Sequence, residues 1–198
     1  MDKQFFILLG RSGSGKGTQA QLLKTLLESK YKNPVTHITT GGGFREFISQ
    51  ETYASHLAKE INDMGGLQPE FLAVWNWSNI FITTLQGNES VILDGAPRKP
   101  FEATILHSAI TFFQYKNPIV IYLDVSESGS RDHLAKRGRE DDIKETQVAS
   151  RMGWFETDVL PALEIYRNDP RYRVLHINGN QTIEDVHKEI VEKLEQVG

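Results

Sequence analysis

Gly10-Arg11-Ser12-Gly13-Ser14-Gly15-Lys16-Gly17-Thr18 follows directly on the apolar run Phe5-Phe6-Ile7-Leu8-Leu9. A strand buried on both faces of a parallel sheet reads as such a near-continuous apolar stretch. The glycines after it permit a tight turn and leave no Cβ in the way of an approaching phosphate. The next stretch, Gln19 to Leu27, has helical apolar spacing. Its first turn therefore presents free N–H groups and the positive end of the helix dipole to an anion. Lys16 adds a mobile charge for the outer phosphates, and Thr18 or Ser14 a hydroxyl near Mg²⁺. Gly17, between Lys16 and Thr18, departs from the general form of such loops. Strand, glycine turn, lysine and helix together read as a phosphate-cradling loop, and so as a nucleotide-binding chain.

Working outward, the apolar runs Ser90–Leu93, Ile119–Asp124 and Arg173–Ile177 read as further strands, and Val35–Ile38 as a weaker fifth. Helical or loop stretches separate them. That alternation implies right-handed crossovers and a parallel sheet covered on both faces. The last helix is expected over Ile183–Val197, with Thr182 and Asp185 forming a capping-box start and Glu184–Glu195 a solvated acidic face. Trp75 and Trp77, two apart on a helix, face different sides. One is expected in the core and the other against a neighbouring flap.

The 198 residues allow one substantial core with a small insert. Hydrophobic content of 39% and charged content of 24% are those of an ordinary globular domain. No apolar run reaches membrane-span length and the chain enters its first strand at once, so neither a membrane span nor a cleaved leader is expected. With no cysteine, disulfides and thiolate-ligated zinc are excluded, and a cytoplasmic setting is expected. A net charge of −4 argues against a nucleic-acid surface. The six histidines, at 37, 56, 107, 133, 176 and 187, show no paired metal spacing.

A second anchor is Val91-Ile92-Leu93-Asp94-Gly95-Ala96-Pro97-Arg98, a buried-strand pattern ending on a carboxylate. Beside a phosphate loop, such an Asp can hold Mg²⁺ or its water shell. Arg98, after a Gly/Pro turn, aims a planar cation suited to bidentate phosphate contact. The polar stretch Ser126–Asp142 lies beyond the C-terminal end of a strand, where open α/β sheets bind ligands, and is a candidate lid.

Gly10 to Gln19, Thr40–Arg45 (T-G-x-x-x-R), Asp94–Arg98 (D-G-x-P-R) and Arg139–Asp142 (R-x-D-D), in this order and spacing, resemble the nucleoside monophosphate kinases, adenylate kinase in particular. Ile61–Leu72 is similar to that family's small acceptor-binding insert, with Gly65, Leu67 and Leu72 in register. The resemblance implies a three-layer α/β/α fold of the P-loop NTPase type with a five-stranded parallel sheet. It also implies an acceptor flap over about 40–69 and a short lid, free of zinc, over about 126–142. By the same resemblance, Gly13, Ser14, Gly15, Lys16, Gly17 and Thr18 hold the ATP phosphates, and His133 and Gln181 sit near the ATP base. Thr40, Gly41, Arg45, Gly66, Leu67, Gln68, Gly95, Arg98 and Glu102 hold the acceptor monophosphate. Lys16, Arg98, Arg137, Arg139 and Arg151 surround the transferred phosphoryl, while Thr18 and Asp94 order Mg²⁺ through water. The implied partners are ATP and a nucleoside monophosphate bound by a monomer, and the implied reaction is ATP + AMP ⇌ 2 ADP.

Several positions depart from the family pattern. Glu102 stands where adenylate kinases carry a Gln. An ionised carboxylate only accepts hydrogen bonds, which suits the N1–H and amine of guanine better than the edge of adenine. GMP, or a broad range of acceptors, is therefore an open alternative to AMP, and a nucleotide-binding switch without turnover is a more distant one. Gly42, Gly66 and Ala96 replace a usual Asp, Lys and Phe. Arg151 lies nine residues beyond Asp142 where the family shows eight, which calls for a small insertion between Asp142 and Val148.

Overall fold

The structure is a computed structural model that describes residues 3–139, 142 and 144–197. Its strands are β1 (Phe5–Gly10), β2 (Val35–Thr39), β3 (Ser90–Asp94), β4 (Ile119–Asp124) and β5 (Arg173–Asn178). All neighbours pair in parallel, in the order β2-β3-β1-β4-β5. Every strand foreseen from the apolar runs is present, including the weak one at Val35.

Side chains alternate across β1 as the pleat requires. Phe5, Ile7 and Leu9 enter one core layer with Trp77, Phe81, Leu106, Ile110, Leu163 and Tyr166. These come from α4 (Glu70–Thr84), α5 (Pro100–Phe112) and α8 (Leu160–Arg167). Phe6 and Leu8 enter the other layer with Leu23 and Leu27 of α1 (Lys16–Lys30) and Ile190 and Leu194 of α9 (Ile183–Val197). Fully burying a side chain of this size is worth about 1.5–3 kcal/mol. These two layers therefore clamp the sheet and fix where each strand ends.

The remaining helices gather at the C-terminal edge of the sheet. They are α2 (Thr40–Ile48), α3 (Tyr53–Asp63), α6 (Glu127–Arg137) and α7 (Glu145–Trp154), the last running into a π-helical turn at Phe155–Val159. Ser126 caps α6 by accepting from Gly129 N at 3.1 Å, and Gly138 ends it in the left-handed region at φ 62°. The candidate lid is thus mainly a helix, with Ser130 and Leu134 buried beneath it. Its Glu140 and Asp141 lie outside the described residues. Thr182 Oγ1 accepts from Asp185 N at 3.2 Å, the N-cap half of the foreseen box, and donates to the Asp185 carboxylate at 2.7 Å. Trp77 is buried, whereas Trp75 is exposed and packs against Phe47 of α2, the ring centres 5.2 Å apart and the planes tilted by 59°. The two rings divide between core and flap, as their spacing requires.

Candidate functional site

β3 lies on one side of β1 and β4 on the other, so the order of strands reverses at the C-terminal end of β1. A crevice opens at such a switch point. Here it is a cleft of about 1450 Å³, walled by the Gly10–Thr18 loop, α2, the turn after β3, and the ends of α6 and α7. Pockets for a single drug-sized ligand measure about 300–1,000 Å³, so this cleft has room for more than one nucleotide.

The loop is built from its own backbone. Ser14 N donates to Arg11 O at 3.1 Å, and Gly15, at φ 86°, is the residue from which α1 starts. Gly13 is demanded by space as well as by conformation. With φ 85°, a Cβ there would stand 2.5 Å from Ser130 O. The loop is thereby seated against α6, and His133 Nδ1 lies 2.9 Å from Gly13 O on the same side. Lys16 Nζ folds back beneath the loop, donating to Gly10 O at 2.9 Å and Arg11 O at 2.7 Å. Burial lowers its pKa from the ordinary value to about 8; Asp94 opposes the shift, and Arg98 and Arg137 add to it. Thr18, Gly17 and Ser14 line the same end.

Asp94 ends β3 facing the first turn of α1: a Cβ on Gly17 would stand 3.5 Å from its Oδ2. Among the described residues, no group of three or more His, Cys, Asp or Glu could cage a metal. One carboxylate, in a cleft that Thr18 and Ser14 also line, fits Mg²⁺, an ion that keeps most of its waters and takes its other oxygens from phosphates.

On the other side, Arg98 Nε donates to Gly95 O at 2.9 Å, and its guanidinium lies 5.2 Å from the centre of the Trp154 ring. Burial lowers the Arg98 pKa; Glu102 and Asp94 oppose the shift, while Arg151 and Arg45 reinforce it. Thr40 Oγ1 donates to Asp94 O at 3.4 Å, and Asn76 Nδ2 to Thr40 O at 3.0 Å, which anchors the start of α2. A Cβ on Gly41 would lie 3.4 Å from Arg45 Nη1. Gly66, Leu67 and Gln68 line the cleft; Gln68 Nε2 donates to Ala58 O at 2.8 Å, and its buried Oε1 has no partner among the described residues. Glu102, only 3% exposed, lies in the same wall beside Arg98 N at 3.4 Å, and burial pushes its pKa up.

Arg137 of the candidate lid and Arg151 of α7 converge on one carboxylate. Asp142, whose side chain is wholly buried, accepts from Arg137 Nε and Nη2 at 2.7 Å each and from Arg151 Nη1 at 2.9 Å. Arg151, nine residues beyond Asp142, is buried and lines the cleft. Arg139 is exposed on the cleft rim. Gln181 also borders the cleft, its side chain turned onto Asn178 O at 2.8 Å and Glu189 Oε2 at 2.7 Å.

Sequence reading passed over Trp154, Gln147, Asn76 and Arg11. The first two share with Arg151 an i, i+4, i+7 stripe of α7, a signal visible once the helix is known. Arg11 turns away from the cleft, pairing with Glu156 and lying 4.2 Å over the Phe155 ring.

A glycine loop between the central strand and first helix of a parallel sheet, with converging cations across the cleft, defines a P-loop nucleotide-binding protein. The family model for adenylate kinase matches residues 8–170. The adenylate kinase of Corynebacterium urealyticum is 32% identical over 180 residues, covering 91% of this chain and 93% of its own length. That of Oenococcus oeni is 33% identical over 179 residues (89% and 91%), and adenylate kinase 1 of Nostoc sp. is 32% identical over 184 (93% and 95%). The chain belongs to the adenylate kinase family, and it is an ATP-dependent nucleoside monophosphate kinase. Among the described residues, no helix is long and apolar enough to cross a membrane.

Proposed function

We propose that this chain transfers the γ-phosphoryl of Mg-ATP to AMP, giving two ADP, with each chain holding both nucleotides. The observation that supports this best is the convergence of cations from five separate elements. Lys16 of the loop feels Arg98 and Arg137, and Arg98 in turn feels Arg151 and Arg45. Such a cluster is held together at a cost unless polyanions lie between its members.

On this reading the Gly13–Thr18 amides and Lys16 hold the ATP phosphates, while Thr40, Gly41, Arg45, Gly66–Gln68, Gly95 and Arg98 hold the acceptor. Arg137, Arg139 and Arg151 neutralise the moving group. Asp94, with Thr18, holds the Mg²⁺ hydration shell, and the ion when bound supplies further charge neutralisation. The bond from the γ-phosphorus to the bridging oxygen of ADP breaks, and one forms to a phosphate oxygen of the acceptor. That oxygen is already anionic, so no general base is required. The protein's work is to align two polyanions against their repulsion and to keep water out. Segments 40–69 and 126–142 are the flaps that close over them.

A second reading has GMP, or several monophosphates, as acceptor. Its support is Glu102, which lines the acceptor wall as a buried carboxyl. Initial rates with AMP, GMP, CMP, UMP and dTMP side by side decide the matter. A lead for AMP by a hundredfold ends the guanine reading, a lead for GMP replaces AMP, and transfer to none refutes both.

A further inference from the structure

The segment 61–68 closes the acceptor side of the cleft, and it is attached to α7 rather than only to its own helix. The last carbonyls of a helix have no partner within it. At the end of α3 two nearby carbonyls are taken up by side chains from far along the chain. Gln147 Nε2 donates to Asp63 O at 2.7 Å, and Trp154 Nε1 donates to Gly65 O at 3.2 Å. Between these two bonds the backbones are in tight contact. A Cβ on Gly65, whose φ is 72°, would stand 2.8 Å from Gln147 Cα. Gln147 and Trp154 lie seven residues apart, so they project from one face of α7, with Arg151 between them. The Trp154 ring also carries the Arg98 guanidinium, 5.2 Å from its centre. One side chain thus touches both the insert's backbone and the arginine assigned to the acceptor phosphate.

We propose that Trp154 and Gln147 are positioning residues that latch the acceptor insert onto α7, and that Trp154 holds Arg98 in place, so that the pair sets affinity for the monophosphate and not for ATP. This rests on the assignment of Arg98 and the 40–69 insert to the acceptor. The indole N–H and the ring face do separable work, which makes the latch testable by graded substitution.

W154F keeps an aromatic face under Arg98 and removes the donor to Gly65. It raises acceptor KM and Kd about fivefold, in the range of one hydrogen bond. Q147L does the same through Asp63. W154L removes ring and donor together and raises both constants about fiftyfold. In all three, KM for ATP stays within twofold, kcat changes little, and amide exchange speeds up in 61–68 while β1 keeps its protection. If W154L fails to fold, W154F and Q147L carry the test. Equal rises in both KM values, a fall in kcat with acceptor KM unchanged, or unaltered exchange in 61–68 would each overturn the latch. A wild-type protein that binds no monophosphate in calorimetry overturns the acceptor assignment, and the latch with it, before any variant is made.

Discussion

Lys16 is held in its charged form against the cost of burial, and binding phosphate removes that cost. In the free protein its pKa is about 8. Phosphate oxygens at the loop return it to the ordinary lysine range near 10.4. Free Lys16 is then about half protonated at pH 8 and about one-tenth protonated at pH 9, whereas bound Lys16 is protonated at both. Binding ATP therefore takes up about 0.5 proton at pH 8 and about 0.9 at pH 9, and ATP affinity falls about fivefold between those values. Calorimetric titration in two buffers of different ionisation enthalpy reads this uptake directly. Above pH 8 the terminal phosphate of ATP, with a pKa near 6, no longer titrates and adds nothing. K16R, whose guanidinium does not titrate in this range, abolishes the uptake. The stability of the unliganded protein moves with the opposite preference. The folded pKa is depressed, so the unfolded chain binds more protons between about 8 and the ordinary value, and folding stability rises with pH across that window. K16M flattens the rise, stabilises the unliganded protein at pH 7, and abolishes phosphoryl transfer. An uptake that is flat from pH 7 to 9, or is retained in K16R, refutes this account.

Three further outcomes follow from the same geometry. D142N leaves Arg137 and Arg151 without the carboxylate they share; Arg137 is 34% exposed, so the loss is about 3 kcal/mol, at the low end for a buried pair, and denaturant unfolding of the two proteins measures it. G15A costs only the left-handed backbone, about 1–2 kcal/mol, because no atom of the described residues lies within 4 Å of its new Cβ. G13A pays that and the overlap with Ser130 O, so equal losses in the two variants would contradict the described seating of α6 on the loop. E102Q offers a donor and an acceptor in place of a carboxyl and shifts the ratio of AMP to GMP turnover toward AMP by about 5- to 150-fold; an unchanged ratio removes Glu102 from acceptor choice.

The strands and the phosphate loop were legible because their signals are local. An apolar run followed by glycines and a lysine carries its meaning within about fifteen residues, and the five strands lie where such runs stand. The partners of those residues were less legible. The spacing of Arg151, nine residues beyond Asp142, called for a small insertion between Asp142 and Val148 but named no partner; Asp142 accepts from it at 2.9 Å. Spacing along the chain measures angle around a regular helix, and that measure lapses wherever a non-helical link intervenes. Trp154 and Gln147 carried no motif at all, since what they touch lies 89 and 84 residues away.

From the order of its amino acids alone, this protein was bound to build a parallel α/β sheet with an anion cradle at the head of its first helix. Periodicity, glycine conformation and helix dipole act over a few residues and leave few alternatives. Which cations share a carboxylate, how deeply Lys16 is desolvated, and which helix the acceptor insert rests on were settled only when distant segments met. Those are properties of the space between elements, where charge and burial depend on every wall at once.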